Sequence, residues 1–219
     1  MNEGSVMYKY LLFDLDGTLT DPGLGITNSV MYALGKFGIS VSDRPSLYKF
    51  IGPPLRESFG KFYGFSKEQC EQAVKYYREY FSEKGLYENE VYDEIPRVLT
   101  MLRESGRTLA VATSKPEPFA VRILKHFDLY GYFDLVAGAT MDDTRNEKSD
   151  VIRYALDSIG VPDRSSAIMI GDRKHDVIGA KANGIDAVGV LYGYGSRGEL
   201  TDAGAAFIAD CPADIIRYI

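Results

Sequence analysis

Tyr10 to Asp21, YLLFDLDGTLTD, constrains the fold more than any other stretch of this chain. Tyr10-Leu11-Leu12-Phe13 is a short apolar run, and Asp14, Asp16 and Gly17 follow at once. A run of that length closed by a glycine turn predicts a buried strand. Its C-terminal end carries two carboxylates, and in an open α/β sheet that edge is where ligands bind. Asp14 and Asp16 converge if the chain leaves the strand at Asp16 and turns through Gly17, which has the backbone freedom to do so. Taken alone, Asp-x-Asp-Gly is also an ordinary turn, so the weight falls on what comes after it.

A simple βαβ unit would return to the sheet within about 30 residues. Here the next buried strand is Thr108-Leu109-Ala110-Val111-Ala112-Thr113. The intervening segment reads as helical throughout. Asp21-Pro22 is a helix start, with Asp as N-cap and Pro in the first turn. Ile26, Val30, Leu34 and Phe37 keep helical spacing up to Gly38, and Leu55, Phe59 and Phe62 do so up to Gly64. Ser66 with Gln69 has the capping-box pattern, and Cys70, Ala73, Val74, Tyr77 and Phe81 follow up to Gly85. We therefore expect a helical domain, residues 21–89, inserted into a core made of 1–20 and 90–219.

From Asp93 strands and helices alternate. Helices are expected around Ile95–Leu102, Pro116–Phe127 and Val151–Ile159, with a closing helix over Pro212–Ile219. Strands are expected at 134–137, 167–170 and 186–191, with a weak edge strand at 206–209. That alternation predicts an α/β fold: a Rossmann-like parallel sheet with helices on both faces and an inserted helical cap domain.

With 219 residues, 45% hydrophobic and 26% charged, the chain is long enough for a core and a smaller domain. No apolar stretch reaches the length of a membrane span, and MNEGSVMYKY lacks the blocks of a signal peptide. The net charge of −6 argues against a nucleic-acid polymer as partner. Cys70 and Cys211 have no metal-ligand spacing and read as reduced thiols of a cytoplasmic protein. With only His126 and His175 in the chain, a histidine-based metal site is disfavoured.

Three further polar clusters fall just after strands or at a helix start. They are Thr113-Ser114-Lys115, Lys148 within the polar loop 142–150, and Gly171-Asp172-Arg173-Lys174-His175-Asp176. Each alone is an ordinary loop or cap. Together they bring hydroxyls, a cation and more carboxylates to the sheet edge that carries Asp14 and Asp16. Hydroxyls and Lys suit a phosphate. Carboxylates without His or Cys suit a hard cation such as Mg²⁺.

In this order and spacing, Asp14-Leu-Asp-Gly-Thr18, Thr113, Lys148 and Gly171-Asp172 with Asp176 resemble the haloacid dehalogenase-like hydrolase superfamily. The insertion resembles the subgroup whose cap follows the first strand. Phe50-Ile-Gly-Pro-Pro-Leu55 and Ala112-Thr-Ser-Lys-Pro116 look most like phosphoglycolate phosphatases and related nucleotidases. The resemblance implies Asp14 as the nucleophile that forms an aspartyl-phosphate and Asp16 as general acid and then base. It implies Mg²⁺ held by Asp14, the Asp16 main-chain carbonyl and Asp172. Thr113, Ser114 and Lys148 would bind the phosphoryl group, and Asp176 would lie behind the metal ligands. Two departures stand out. Position 173 is Arg where many members have a small hydroxyl residue. The polar loop before Lys148 is longer and more acidic than the family pattern leads one to expect, and Lys115 competes with Lys148, although it follows Thr113 directly and belongs to the same loop.

The implied activity is a Mg²⁺-dependent phosphatase acting on a small phosphate monoester. A 5'-nucleotidase or other nucleotide or pyrophosphate phosphatase of the same fold is the alternative. A β-phosphoglucomutase-like enzyme is disfavoured because the cap has no His, a dehalogenase because Asp16 is present, and a non-catalytic binding protein because both acids are intact. Specificity is expected from the cap, where Arg56 is the best candidate to read a second anionic group on the substrate.

Overall fold

The computed structural model describes residues 8–142 and 144–219. In chain order, β1 (Tyr10–Phe13) is followed by β2 (Thr20–Asp21), α1 (Gly23–Gly35), α2 (Leu55–Tyr63), α3 (Lys67–Tyr80) and β3 (Glu90–Val91). Then come α4 (Ile95–Glu104), β4 (Thr108–Pro116), α5 (Glu117–His126), β5 (Leu135–Ala139), α6 (Lys148–Ser158) and β6 (Ala167–Gly171). The chain ends with α7 (Lys174–Ala182), β7 (Asp186–Val190), α8 (Arg197–Ala203) and β8 (Phe207–Ala209). It divides into two compact units, Thr20–Glu90 on its own and the flanking residues up to Leu19 and from Val91 to Ile219.

In the flanking unit the described strands form a six-stranded sheet in the order β5-β4-β1-β6-β7-β8, every recorded pair being parallel. A parallel sheet covered on both faces needs apolar strands, and β1, β4 and β6 are nearly continuous runs of buried apolar residues. On one face Leu12, Ala110, Ala112 and Met169 pack with Val151, Ile152, Ala155 and Leu156 of α6 and Val177 and Ala180 of α7. The chain runs from β1 outward through β4 to β5, then crosses back to β6 on the other side of β1. Such a reversal opens a crevice at the carboxyl ends of the central strands. Register fixes its level: Phe13 faces Val111 on one side and Ile170 on the other.

The unit Thr20–Glu90 is mainly helical. α2 stops at Gly64, whose φ of 65° is the left-handed cap that glycine adopts without strain. α3 starts at Ser66 with a reciprocal capping box to Gln69 and runs on into a π-helical turn, Phe81–Gly85. Phe50, Phe59 and Phe62 form its aromatic core, with ring centroids 5.1 and 5.5 Å from Phe50.

The observed elements correct several sequence expectations. β1 ends at Phe13, so the chain leaves the strand before Asp14 rather than at Asp16. Pro22, not Asp21, is the N-cap of α1; the Asp21 carboxylate accepts from Gly23 N at 2.9 Å. The inserted segment is not helical throughout, since Arg44–Phe50 is a 3₁₀ helix and β2 and β3 pair as a two-stranded ribbon. The closing helix, Pro212–Tyr218, is also 3₁₀. α8 carried no apolar periodicity and was not anticipated.

Candidate active site

The central strand edge collects four carboxylates and two lysines, all in the flanking unit. Asp14 is the first residue after β1, with its amide donating to the Ile170 carbonyl at 2.9 Å. Lys148, the first residue of α6, forms ion pairs with Asp14 Oδ1 and Asp176 Oδ1, both at 2.8 Å, and donates to the Ala112 carbonyl at 3.1 Å. Asp172 follows β6 and is fully buried. Its Oδ2 accepts from the Tyr194 amide at 2.8 Å, and its Oδ1 meets no hydrogen-bond donor among the described residues. Asp176 lies in the first turn of α7, where its Oδ2 accepts from the Arg173 amide at 3.0 Å. Carboxylate oxygens of Asp14, Asp172 and Asp176 lie within 4.8 Å of one another.

Asp16 stands two residues further along the exit loop. Its Oδ2 pairs with Lys115 Nζ at 2.8 Å, while its Oδ1 is buried with no hydrogen-bond donor among the described residues. Thr113 is buried near the end of β4 and accepts the Lys115 amide at 3.2 Å, with half-buried Ser114 between them. Both lysines therefore belong to the site, on different carboxylates. Arg56 lies in the other unit, where Nε and Nη2 meet the two Glu71 oxygens at 2.7 and 3.0 Å. Arg173 is engaged by Glu199 at 2.9 Å, and the same Glu199 oxygen accepts the Lys174 amide.

Glycines set how closely these groups approach. Gly17 has a φ of 83°, and a Cβ on it would lie 2.3 Å from Asp172 Oδ2. A Cβ on Gly171 would lie 2.2 Å from Asp176 Cγ, and one on Gly195 would lie 1.9 Å from the Asp172 carbonyl oxygen. Gly193 would place its Cβ 2.5 Å from Asp172 Cβ. The Gly193-Tyr194-Gly195 segment, absent from the sequence-based set, thus closes over Asp172. Its signal was the G-x-G spacing just beyond β7.

Burial without enough cations decides the electrostatics. Burial, then the charges of Asp176 and Asp14, holds the Asp172 carboxyl well above the usual carboxylate range. Burial likewise pushes Asp176 up to about 6, although the Lys148 ammonium opposes it. Asp16 is raised by burial against the opposing pull of Lys115. Burial draws the Lys148 ammonium down, but Asp14 and Asp176 outweigh it and its net shift is upward. Such a cluster keeps its charges only when a further cation balances them. Clustered oxygen donors with no His or Cys fit a hard divalent ion, to which Asp172 Oδ1, with no hydrogen-bond donor of its own among the described residues, would offer a ligand atom.

Residues 11–190 match the family model of the haloacid dehalogenase-like hydrolases. The chain is 48% identical over 200 residues to a 5'-nucleotidase from Pseudomonas aeruginosa, covering 91% of this chain and 90% of that one. It is 43% identical to the tyrosine-protein kinase PtkA of Mycobacterium tuberculosis, over 85% of this chain and 63% of that protein. The crystal structure of a predicted phosphatase from Clostridium acetobutylicum superposes with a TM-score of 0.93 at 50% identity, covering 96% and 97% of the two chains. The chain belongs to the haloacid dehalogenase-like hydrolases. Within that family it is a phosphatase. Among its described residues no helix is long and apolar enough to cross a membrane.

Proposed function

We propose that the chain hydrolyses small phosphate monoesters through a phosphorylated Asp14, in a Mg²⁺-dependent reaction. The observation that carries this reading is the buried cluster of Asp14, Asp172 and Asp176 with Lys148 ion-paired to two of its members. An Asp14 oxygen forms a bond to phosphorus while the ester oxygen leaves with its bonding pair and takes the proton of Asp16. Water then attacks the phosphorylated Asp14, Asp16 takes the water proton, and inorganic phosphate departs as the Asp14 carboxylate is regenerated. Lys148 and the Thr113 and Ser114 hydroxyls are assigned to the phosphoryl oxygens, where preorganised donors stabilise developing charge. Mg²⁺ held by Asp14, the Asp16 main-chain carbonyl and Asp172 would supply charge neutralisation between the carboxylate and the dianionic phosphate. Asp176 steadies Lys148 behind them.

Nucleoside 5'-monophosphates are the first substrate class to examine, on the strength of the nucleotidase relative. Phosphoglycolate is the second, on the motifs 50–55 and 112–116. We assign substrate discrimination to the unit Thr20–Glu90, a cap in this reading, with Arg56 as the candidate contact once it exchanges its Glu71 partner for the substrate. A phosphate-release screen over nucleoside monophosphates, phosphoglycolate, sugar phosphates, pyrophosphate and phosphotyrosine tests the reading. It predicts turnover of at least one monoester with Mg²⁺, lost with chelator and in Asp14→Asn. Turnover unchanged in Asp14→Asn would overturn it.

A further inference from the structure

Lys115 is placed by an irregularity that the sheet has no need of. β4 and β5 run in register to the pair Thr113–Gly138, but the next pair is Pro116–Ala139. Three steps along β4 therefore face one along β5, and the surplus residues are Ser114 and Lys115. Bulges of this kind re-aim a side chain. This one is seated on Gly138, where a Cβ would lie 2.7 Å from the Lys115 carbonyl oxygen and 2.6 Å from Glu117 N. Thr113 Oγ1 takes the Lys115 amide at 3.2 Å. The side chain so aimed meets Asp16 Oδ2 at 2.8 Å, with only 5% of the lysine side chain and 12% of the aspartate side chain exposed.

A buried ion pair is weak as a stabilising device, because desolvation consumes the attraction. It is effective at fixing one geometry. Asp16 sits beside Gly17, whose φ of 83° marks a turn, and no helix or strand holds its side chain in place. One of its oxygens is gripped by Lys115, and the other, Oδ1, meets no donor among the described residues. Lys148 has separate work on Asp14 and Asp176.

We infer that Lys115 is a positioning residue for Asp16: from the β4 bulge it grips Oδ2 and leaves Oδ1 presented to the leaving-group oxygen and then to water. The inference rests on the reading of Asp16 as acid and base. Its signature is dependence on the leaving group, because a nitrophenolate departs unaided and an alkoxide does not.

The test compares Lys115→Met and Lys115→Arg, each alone and combined with Asp16→Asn, on adenosine 5'-monophosphate and p-nitrophenyl phosphate. General acid–base catalysis contributes about 10²–10⁴-fold, and a misaimed acid forfeits part of it. Lys115→Met is expected to slow the alkyl ester about 10–100-fold and phosphoryl transfer from the nitrophenyl ester about threefold or less. Lys115→Arg should recover part of the loss. In the Asp16→Asn background the same substitution should cost nothing further, and orthovanadate binding by calorimetry should be kept. An equal loss with and without Asp16, or loss of orthovanadate binding, would overturn the inference and make Lys115 a phosphate ligand. If Asp16→Asn itself ignores the leaving group, the acid–base reading falls and this inference with it. Should Lys115→Met not fold, Lys115→Gln carries the same comparison.

Discussion

Replacing Lys148 by Met should expose how the buried carboxylates are balanced. The lysine side chain is only 6% exposed and lies 2.8 Å from both Asp14 Oδ1 and Asp176 Oδ1. At an effective dielectric of about 20, each such contact is an attraction of about 6 kcal/mol, and desolvation offsets most of it. Removing one partner of a buried pair leaves an uncompensated charge and typically costs about 3–5 kcal/mol. We expect that loss at pH 8 with chelator present, measured by urea unfolding followed by circular dichroism. The loss should shrink at pH 5. Burial already pushes the Asp176 carboxyl up to about 6 in the folded chain, and without the ammonium it is pushed further. A carboxyl whose folded pKa exceeds its unfolded value of about 3.9 holds more protons when folded, so stability falls as pH rises through that window. The deficit is therefore largest above the folded pKa. A loss under about 1 kcal/mol at pH 8, or an equal loss at both pH values, would refute the charge-balance argument.

Mg²⁺ at 100 times its Kd should stabilise the parent chain by about 2.7 kcal/mol, read as a rise in melting temperature, and Asp172→Asn should abolish that rise; an undiminished shift would remove Asp172 from the proposed metal site. Arg56→Ala should raise KM or lower kcat for the native substrate and affect an aryl phosphate much less, whereas equal losses would make its pairing with Glu71 structural. Ser66→Ala breaks the capping box of α3 and should cost about 1 kcal/mol in urea unfolding without changing kcat.

The parts that were legible in the sequence are those where one local pattern decides the outcome. Tyr10–Phe13, Thr108–Thr113 and Ala167–Ile170 are apolar runs ending in polar clusters, and a parallel sheet has to place those ends together. Gly64 and the Ser66–Gln69 pair mark helix ends because their chemistry is local. α8 was missed because a seven-residue helix burying only Leu200 has no stripe to detect. Lys115 was ranked below Lys148 because it follows Thr113 in the same loop; its actual direction is set by a bulge seated on Gly138, more than 20 residues away. The approach of Gly193 and Gly195 to Asp172 is likewise set by the return of β7 to the sheet. Arg56 looked free in sequence, and its partner Glu71 is one helix away.

The central claim, that Asp14 carries the phosphoryl group, is tested most directly by trapping it. If Asp16 is the base for the second step, Asp16→Ala removes it but leaves a nitrophenyl ester able to react in the first. The variant should release a burst of nitrophenol with p-nitrophenyl phosphate and Mg²⁺. Acid quench followed by peptide mass spectrometry should then find a phosphoryl group on Asp14, absent when Asp14→Asn is added. A burst with no phosphorylated Asp14, or phosphorylation at another residue, would contradict the account.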